Sequence, residues 1–254
     1  MILDQITPLI LTRNEEANLA RTLSRLTWAR DVVIVDSYST DATLEIAARF
    51  PNVRVVQRVV DTLAGQSTFG LAEVRTPWVL LLDADYVVPA ELVEELGALE
   101  PPPGVRAYTC AFLYAVNGHP LRGSLYPPRI VLLQREHAQI WQDGHAHRVL
   151  VDGQTGTLHA KITHDDRKSF ALFAARQRRY MRQEAEKLRQ SDPRALPLSG
   201  RIRKLIVVAP FAVLIHTLFV KGLILDGLPG LHYVWERFVA ELILSRELMR
   251  RRSS

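Results

Sequence analysis

Cysteine is nearly absent from this chain of 254 residues, which has a single one, at position 110. One thiol excludes an internal disulfide framework, which fits a reducing cytoplasm. A structural zinc site is not expected either, because the histidines at 145, 147, 159 and 164 are irregularly spaced. The first apolar segment is short and lacks the basic start of a signal peptide, which again favours the cytoplasm.

The chain also lacks any apolar run long enough for a straight transmembrane helix, which needs roughly twenty residues. The longest run, Leu205 to Val220, has sixteen residues and contains Pro210 and His216. Extending it past Lys221 to Leu225 would reach that length at the cost of one charge, so the block either spans the membrane or lies on it. A turn rich in glycine and proline and a segment with aromatic residues follow the block. The pattern predicts a helical hairpin that lies in a membrane interface. The alternative is that these helices pack onto the rest of the protein or onto a second copy of the chain in a homo-oligomer.

Charge is distributed unevenly. Residues 167–254 contain 18 Lys and Arg against 7 Asp and Glu, a balance of +11, whereas residues 1–166 contain 14 against 20, a balance of −6. We therefore predict a first domain over 1–166 and a basic helical region over 167–254. Anionic lipid headgroups would attract the basic region. Nucleic acid is disfavoured as a partner, because aromatic residues for base stacking are not interleaved with the basic ones.

The most informative stretch runs from Val79 to Leu82 and ends in two acids, Asp83 and Asp85. The apolar run predicts a buried strand, and the carboxyl ends of strands in an open α/β sheet form the crevice where ligands bind. Mg²⁺ or Mn²⁺ needs few protein oxygens, because it shares its other positions with water and substrate phosphates. The pair is therefore a candidate metal site, although two acids after a strand are also typical of a helix N-cap or a solvated turn.

The same order of strand, polar cluster and helix recurs upstream. Strands are predicted over 7–11, 32–35 and 53–57, and the spacing of apolar residues predicts helices over 17–29, 42–50 and 67–73. This alternation predicts an α/β fold with a mainly parallel sheet flanked by helices. No Gly-x-Gly-x-x-Gly follows the first strand, which disfavours a dinucleotide-dependent oxidoreductase.

Three ordered motifs resemble the inverting glycosyltransferases of family 2, which adopt the GT-A fold and use nucleotide-diphosphate sugars. Residues 10–16 (Ile-Leu-Thr-Arg-Asn-Glu-Glu) resemble that family's first strand and loop, residues 35–41 (Val-Asp-Ser-Tyr-Ser-Thr-Asp) its second, and residues 82–85 (Leu-Asp-Ala-Asp) its metal motif. Tyr38 stands where the family usually has a glycine. Residues 118–129 and the polar clusters after them resemble the bacterial envelope branch, which includes lipopolysaccharide-core sugar transferases.

The resemblance implies a nucleotide-sugar site along the strand ends. Thr12, Asn14 and Glu15 would border the nucleotide. Asp36 would accept hydrogen bonds from a uracil-type N–H or from ribose hydroxyls, since an ionised carboxylate is only an acceptor. Asp41 would steady the same loop, or cap a helix that starts at residue 42, or do both.

Nearer the reaction, the resemblance implies that Gln66 lies close to the diphosphate. Asp83 would contact the ribose or the metal, and Asp85 would bind the Mg²⁺ or Mn²⁺ that neutralises the leaving diphosphate. On the acceptor side, Arg122 and Arg129 either clamp a phosphate or a sugar carboxylate or are exposed turn residues.

An inverting transfer also needs a general base that takes the proton from the acceptor hydroxyl. We favour Asp143. Many members of the envelope branch have a His-Glu pair where this chain has Ala146 and His147, so His147 is an alternative base. Asp165 and Asp166 are further candidates, although with the basic residues beside them they also fit a solvated ion-pair cluster.

Together these features predict a metal-dependent inverting hexosyltransferase that moves a sugar from a nucleotide-diphosphate sugar, by resemblance a UDP-sugar, to a lipid-linked or cell-envelope glycan. We expect it at the cytoplasmic face of the inner membrane, bound peripherally or inserted shallowly. Two alternatives stay open. One is a polyprenyl-phosphate sugar transferase, whose phosphate nucleophile needs no strong base. The other is a catalytically inactive, membrane-bound scaffold that binds nucleotide sugars.

Overall fold

The computed structural model describes residues 2–59, 62–143 and 146–250, with the backbone alone at Ala146 and His147. The chain divides into two compact units. The first comprises Met1–Tyr114 and Tyr126–Arg167, and the second comprises Ala115–Leu125 and Lys168–Ser254.

Strands dominate the first unit, and helices dominate the second. The strands are β1 (Ile6–Thr12), β2 (Val32–Asp36), β3 (Val53–Gln57), β4 (Trp78–Asp83), β5 (Tyr86–Val87), β6 (Val105–Cys110), β7 (Phe112–Val116), β8 (His119–Pro120), β9 (Arg129–Gln134), β10 (Ala138–Asp143), β11 (Ala146–Val151), β12 (Gln154–Thr157) and β13 (Ile162–His164). The helices are α1 (Leu19–Leu23), α2 (Thr43–Ala47), α3 (Leu63–Glu73), α4 (Ala90–Gly97), α5 (Phe170–Gln190), α6 (Leu198–Lys204), α7 (Val208–Ile215) and α8 (Gly227–Arg250). Short 3-10 turns cover Ile2–Gln5, Arg135–His137 and Leu223–Asp226, and a π-helical turn covers His216–Val220.

A seven-stranded sheet forms the centre of the first unit, in the order β12-β6-β9-β4-β1-β2-β3. Its pairs are parallel except that β9 runs antiparallel to β4 and β6. Strands β1 and β2 are buried along their whole length, which is why they read as nearly continuous apolar runs rather than as an alternation. The mainly parallel α/β fold predicted from the sequence is confirmed.

Parallel pairing brings the carboxyl ends of β1, β2 and β4 to one edge. Thr12 lies opposite Asp36, and Leu11 lies opposite Asp83. Three polar clusters that are far apart in sequence therefore meet at the edge where open α/β sheets bind ligands.

The helices after these strands differ in length from the predicted ones. α1 and α2 have five residues each, inside the predicted ranges 17–29 and 42–50. Leu26 is nevertheless fully buried, so the apolar spacing marked a buried face that continues beyond the helix. α3 is longer than predicted because Thr62 caps it: the Thr62 hydroxyl accepts a hydrogen bond from the Gly65 amide (2.9 Å).

Two smaller strand groups complete the first unit. β13 pairs with β5 and β7, so that His164 lies opposite Tyr86 and Tyr114. Because β5 begins directly after Asp85, this pairing brings the end of β13 beside the acidic pair. Separately, β10 pairs antiparallel with β11, and the Gln142 side chain accepts a hydrogen bond from the Ala64 amide at the start of α3 (3.1 Å).

The second unit is built on α5 and α8. α5 begins after Ser169, whose hydroxyl accepts from the Leu172 amide (3.4 Å). Its apolar contact with α8 is formed by Met181, Ala185, Leu188, Leu244 and Leu248. Arg203 of α6 lies between two buried carboxylates, Glu241 at 2.7 Å and Glu184 at 3.4 Å, so the basic composition of this region includes internal ion pairs.

The segment Ala115–Leu125 belongs to this second unit, whereas the sequence division assigned it to the first domain. Arg122 donates to the Asp226 carboxylate from its backbone amide (3.0 Å) and its Nε (2.7 Å). The Leu125 amide donates to the Tyr233 hydroxyl (2.8 Å). These contacts join positions about a hundred residues apart in sequence. A domain boundary drawn from local composition and charge could not include them.

The apolar block at 205–220 is not one helix. Ile206 has a left-handed φ of 47°, and Gly222, just beyond the block, has a φ of 70°. The stretch rich in glycine and proline that was expected to form the turn lies largely inside a helix, because α8 begins at Gly227 and includes Pro229. No single helix among the described residues is long and apolar enough to cross a membrane; Val208–Val220 and Leu223–Arg250 meet the length and composition criteria only as a pair, bent by 68°.

Candidate active site

Two loops, 12–16 after β1 and 37–42 after β2, are tied together by hydrogen bonds between them. The Asn14 amide donates to the Ser39 hydroxyl (2.8 Å), and the Thr40 amide donates to the Asn14 side-chain oxygen (2.8 Å). The Glu15 amide donates to the Thr43 hydroxyl (2.7 Å). Asn14 has a left-handed φ of 54°, a conformation that asparagine tolerates better than most residues. The loops predicted to border a nucleotide therefore form one preorganised surface.

Asp41 holds the same two loops. One oxygen of its carboxylate accepts from the amide and the hydroxyl of Thr43 (3.0 and 2.5 Å), and the other accepts from the Glu16 amide (3.1 Å). Burial opposes ionisation, but the bonds from Thr43 and Glu16 outweigh it and lower the pKa of Asp41. Asp41 therefore makes the loop contact considered from the sequence. It is not the N-cap, because α2 begins at Thr43 and its N-cap is Ala42, although Asp41 accepts from the Thr43 amide.

Asp36 is placed differently from its predicted position. Its side chain is 0% exposed, and its oxygens accept from the Thr12 hydroxyl (2.9 Å), the Ser39 amide (2.9 Å) and hydroxyl (2.5 Å), and the Gln57 amide group (3.2 Å). A carboxylate with four donors inside the protein is already satisfied. Asp36 therefore organises the loop after β2, and the prediction that it reads the base is corrected.

Gln66 is also inside the protein rather than near a diphosphate. Its side-chain nitrogen donates to the Val35 carbonyl and to the Ser37 hydroxyl, both at 2.8 Å. These two bonds use both N–H groups of the amide. Gln66 fixes α3 against the end of β2, and its predicted role at the diphosphate is corrected.

The acidic pair at the end of β4 divides into two environments. The Asp83 side chain is 40% exposed and lies 3.8 Å from Arg129 Nη1. The Asp85 side chain is 12% exposed, and its Oδ2 lies 3.2 Å from Nε2 of His164. Burial disfavours the charged imidazole, but Asp85 and the acids near it outweigh that effect and raise the pKa of His164. Asp83 faces solvent, whereas Asp85 is largely buried and hydrogen-bonded to His164.

Arg129 is anchored on the Asp83 side of the pair. Its Nη1 donates to the Tyr126 hydroxyl (3.0 Å) and more weakly to that of Tyr86 (3.5 Å), and the two phenols are hydrogen-bonded to each other. Burial, with the charge of Asp83, raises the pKa of both tyrosines, so both are protonated at neutral pH. Arg129 is thus not an exposed turn residue, and within the first unit it faces Asp83.

The tandem acids after β13 have separate surroundings. The Asp165 side chain is 3% exposed, and its Oδ2 lies 2.9 Å from Arg21 Nη1 and 2.9 Å from Arg167 Nε. Asp166 is half-buried and accepts from the Asn18 side chain (3.0 Å). Both guanidinium groups bind this buried carboxylate, which leaves it no exposed face toward an acceptor. Asp165 is therefore corrected from a candidate base to a structural residue, and the pair is not a solvated cluster.

The remaining predicted residues lie elsewhere. Asp143 ends β10, and its carboxylate pairs with Arg148 of β11. The side chain of His147 lies outside the described residues. Arg122 belongs to the second unit, where it pairs with Asp226; this ion pair occupies the guanidinium group that was predicted to clamp an acceptor.

The residues that could hold a divalent metal are few. Asp83 and Asp85 offer hard carboxylate oxygens at a strand end, the ligands that Mg²⁺ and Mn²⁺ prefer, and the exposure of Asp83 leaves room for water and phosphate. Within the part of the chain that the structure describes, no three His, Cys, Asp or Glu side chains converge as metal ligands. The donor set therefore fits a metal that takes its other ligands from a substrate.

Sequence reasoning missed the partners of these acids. His164, Tyr86 and Tyr126 pack ring against ring, with centroids 4.5 to 6.4 Å apart. Tyr86 directly follows Asp85 and His164 directly precedes Asp165, and this adjacency to acids was the signal that the sequence offered. The ion pair of Arg21 with Asp165 joins residues 144 positions apart, and no local pattern could have indicated it.

A mainly parallel sheet with polar loops and an Asp-x-Asp pair at its carboxyl edge belongs to the class of α/β proteins that bind their ligand at that edge. Residues 9–101 match the family described as "Glycosyl transferase family 2". The resemblance noted from the motifs is confirmed.

Curated relatives support the same family over a limited length. An uncharacterized glycosyltransferase of Rickettsia typhi is 34% identical over 93 residues, which are 36% of this chain and 32% of the relative. The lipopolysaccharide core biosynthesis glycosyltransferase LpsC of Rhizobium meliloti is 34% identical over 80 residues, 30% of either chain. The match thus spans about a third of the length of these relatives.

Solved structures match over nearly the whole chain. A mannosyltransferase of Pyrobaculum calidifontis, in complex with GDP-mannose and Mn²⁺, has a TM-score of 0.53 at 16% identity and covers 95% of this chain and 86% of its own. TarS of S. aureus, residues 1–349 with UDP-GlcNAc, has a TM-score of 0.51 at 13% identity and covers 97% and 92%. At this identity the likeness shows the fold, and the GT-A architecture predicted from the sequence is confirmed.

Proposed function

We propose that this protein is an inverting glycosyltransferase that transfers a sugar from a nucleotide-diphosphate sugar to a lipid-linked or cell-envelope glycan. The observation that carries the proposal is the position of Asp83 and Asp85 at the end of β4, one strand away from the joined loops after β1 and β2. The named ligands of the structural relatives, GDP-mannose and UDP-GlcNAc, support a nucleotide sugar as donor, and we retain a UDP-sugar as the expected one. The name of LpsC supports an envelope acceptor.

In this proposal Asn14 and Glu15 border the nucleotide, while Asp41 and the buried Asp36 keep the loops in shape. Asp83 and Asp85 hold Mg²⁺ or Mn²⁺, which supplies positive charge that stabilises the leaving diphosphate. The Mn²⁺ in the mannosyltransferase complex supports a divalent metal. Because Asp85 is hydrogen-bonded to His164, its carboxylate is oriented before any ligand arrives.

The proposed base is Asp143, with His147 and Asp166 as the alternatives to be tested beside it. Asp143 is paired with Arg148, and Asp166 accepts from Asn18. The base would take the proton of the acceptor hydroxyl as the hydroxyl oxygen attacks the anomeric carbon from the face opposite the diphosphate.

One observation favours a second acceptor class, a polyprenyl phosphate. The carboxylate of Asp143, the proposed base, is occupied by the guanidinium group of Arg148, so an acceptor hydroxyl would have to displace an ion pair to reach it. A phosphate is already ionised at neutral pH and can attack without a general base. Transfer to polyprenyl phosphate that survives loss of Asp143, His147 and Asp166 would favour this class.

We further propose that the second unit binds the cytoplasmic face of the inner membrane peripherally or by shallow insertion. From Leu205 to the first turn of α8 many large apolar side chains are more than half exposed, among them Leu205, Val207, Phe211, Phe219 and Leu228. The same unit contains most of the excess positive charge, which suits anionic headgroups.

The first experiment measures release of nucleoside diphosphate by the purified protein in detergent, across UDP-, GDP- and dTDP-sugars, with Mg²⁺, Mn²⁺ or EDTA. We expect turnover only with metal, and loss of it in Asp83→Asn and Asp85→Asn. Asp152→Asn, an exposed acid in a turn of the same unit, is the matched control and should retain full activity. If no donor is bound or turned over with metal present, the proposal fails; donor binding without turnover on any acceptor would favour the inactive scaffold.

The membrane proposal is tested by sedimentation with vesicles of phosphatidylglycerol and phosphatidylcholine. Binding should fall with salt and in the double variant Phe211→Ser, Phe219→Ser, but not in Trp141→Ser, which removes a partly exposed aromatic residue of the first unit. If the protein does not sediment with vesicles and forms a defined oligomer in analytical ultracentrifugation, the membrane proposal is contradicted, because a second copy of the chain would then cover the apolar surface.

A further inference from the structure

Tyr38 combines a strained backbone conformation with an exposed side chain, and neither feature stabilises the fold. It follows β2 by two positions, its φ is +53°, and its side chain is 55% exposed. In an L-residue a left-handed φ brings Cβ too close to the backbone, and glycine alone adopts it without strain. A large aromatic side chain that remains in solvent gains no burial to offset that strain.

The strained conformation is imposed by the residues on either side. The Ser37 amide donates to the Thr12 carbonyl (3.0 Å). On the other side, the amide and hydroxyl of Ser39 both donate to the buried Asp36 carboxylate, and the Ser39 hydroxyl also accepts from the Asn14 amide (2.8 Å). The turn is therefore fixed at both ends. Such over-determined strain is typical of functional sites.

The location of Tyr38 suggests what it contacts. The loop lies at the carboxyl edge of the sheet, where Asp36, opposite Thr12, was the sequence candidate for reading the base. Asp36 is buried and satisfied by four hydrogen bonds, so a nucleobase cannot reach it without breaking that network. An exposed phenol ring two residues away offers a flat apolar face instead.

We propose that Tyr38 binds the nucleobase of the donor by stacking on its ring and so determines how tightly the nucleotide part of the donor is held. The inference rests on the proposed donor-binding function and adds to it the residue that holds the base. Stacking of a base on an aromatic ring tolerates any base, whereas hydrogen-bond readout does not. The affinity for different nucleoside diphosphates should therefore depend on Tyr38 in every case.

The test is isothermal titration calorimetry with Mn²⁺ and UDP, GDP or inorganic pyrophosphate, on the wild type and on Tyr38→Gly, Tyr38→Leu and Tyr38→Phe. Loss of one stacked base is expected to weaken UDP and GDP binding by roughly 5- to 150-fold in the Gly and Leu variants. Tyr38→Phe should stay within about twofold of the wild type, because the ring is retained. Pyrophosphate lacks a base, so its affinity should be unchanged in all variants.

Thermal unfolding separates stacking from a structural role. Tyr38→Gly relieves the left-handed strain, so it should melt at the same temperature as the wild type or higher. Asn117→Gly is the matched control, since Asn117 is exposed and has a φ of +51°, and it should leave UDP binding unchanged.

Unchanged UDP affinity in Tyr38→Gly, or an equal loss of pyrophosphate affinity, overturns the stacking role while leaving the donor site intact. A wild type that binds none of the nucleotides overturns the proposed function, and the stacking role with it.

Discussion

Asp165 is the acid whose replacement most clearly separates structure from catalysis. In Asp165→Asn the side chain keeps its shape but loses its charge, so the guanidinium groups of Arg21 and Arg167, each 2.9 Å from Oδ2, lose their counterion. Breaking a buried ion pair from one side costs roughly 3 to 5 kcal/mol. Because Arg167 is partly exposed and water can solvate it, we expect a value near the lower end, about 3 kcal/mol.

A loss of this size should lower the melting temperature by about 6 to 12 °C, since 1 kcal/mol corresponds to about 2 to 4 °C in a domain of 150 to 250 residues. Circular dichroism measures the transition, and donor turnover is measured at a temperature where both proteins are folded. Glu45→Gln is the control, because it removes an exposed i,i+4 partner of Arg49 and should change the melting temperature by no more than about 2 °C.

Melting temperature and donor turnover together distinguish a structural Asp165 from a catalytic one. If Asp165→Asn melts like the wild type, binds donor, and no longer turns it over, Asp165 is the base and its ion pairs are incidental. If it melts lower but retains turnover within tenfold, the carboxylate holds the segment after β13 in place.

Three further predictions concern single residues. Arg129→Gln removes a cation 3.8 Å from Asp83. The affinity for Mn²⁺, measured by electron paramagnetic resonance of unbound Mn²⁺, should therefore rise about fivefold, which corresponds to about 1 kcal/mol of repulsion in a solvated site. Weaker binding of Mn²⁺ would instead show that Arg129 supports the metal site. Gly70→Ala would bring a Cβ to 2.7 Å from Leu9 Cδ1, and denaturant titration should show a loss of about 1 to 3 kcal/mol; an unchanged midpoint would mean that Leu9 moves freely. Although burial opposes ionisation, the hydrogen bonds from Thr43 and Glu16 lower the pKa of Asp41 in the folded state, so its contribution is present above the unfolded pKa and is lost as the pH falls through the folded one. Asp41→Asn should therefore be less stable than the wild type at pH 7, and the difference should shrink as the pH is lowered through the acid range; an equal loss at all pH values would show that the charge is irrelevant.

The sheet was predictable because its signal is local. Strands that are buried on both faces read as apolar runs, and β2, predicted over 32–35, is buried from Val32 to Asp36. Parallel βαβ connections then bring the ends of such strands to one edge, so the meeting of the polar loops with Asp83 and Asp85 followed from topology without any knowledge of side-chain contacts.

The partners of the polar residues were not predictable in the same way. Gln66 and Asp165 carry no local mark that distinguishes a buried, bonded side chain from one that faces a ligand. The partners of Gln66 lie 29 to 31 positions away. Of the two arginines that bind Asp165, Arg167 is two positions away and fits the ion-pair cluster considered from the sequence, whereas Arg21 is 144 positions away. The helical region shows the same effect, since Arg203 was counted as part of a basic surface and is paired with two buried glutamates.

The aspartates of the site are of two kinds, partly exposed and buried, and one side chain cannot serve both functions. A carboxylate that must bind a metal or a substrate has to keep lone pairs directed at solvent, as the partly exposed Asp83 does. One that positions a loop stabilises it most when buried donors satisfy all its lone pairs, as with Asp36. The two requirements exclude each other in a single side chain, because a satisfied acid has nothing left to offer a ligand. A site rich in aspartates therefore needs recognition groups of another kind for the base, and an exposed aromatic ring on the loop that Asp36 holds meets that need.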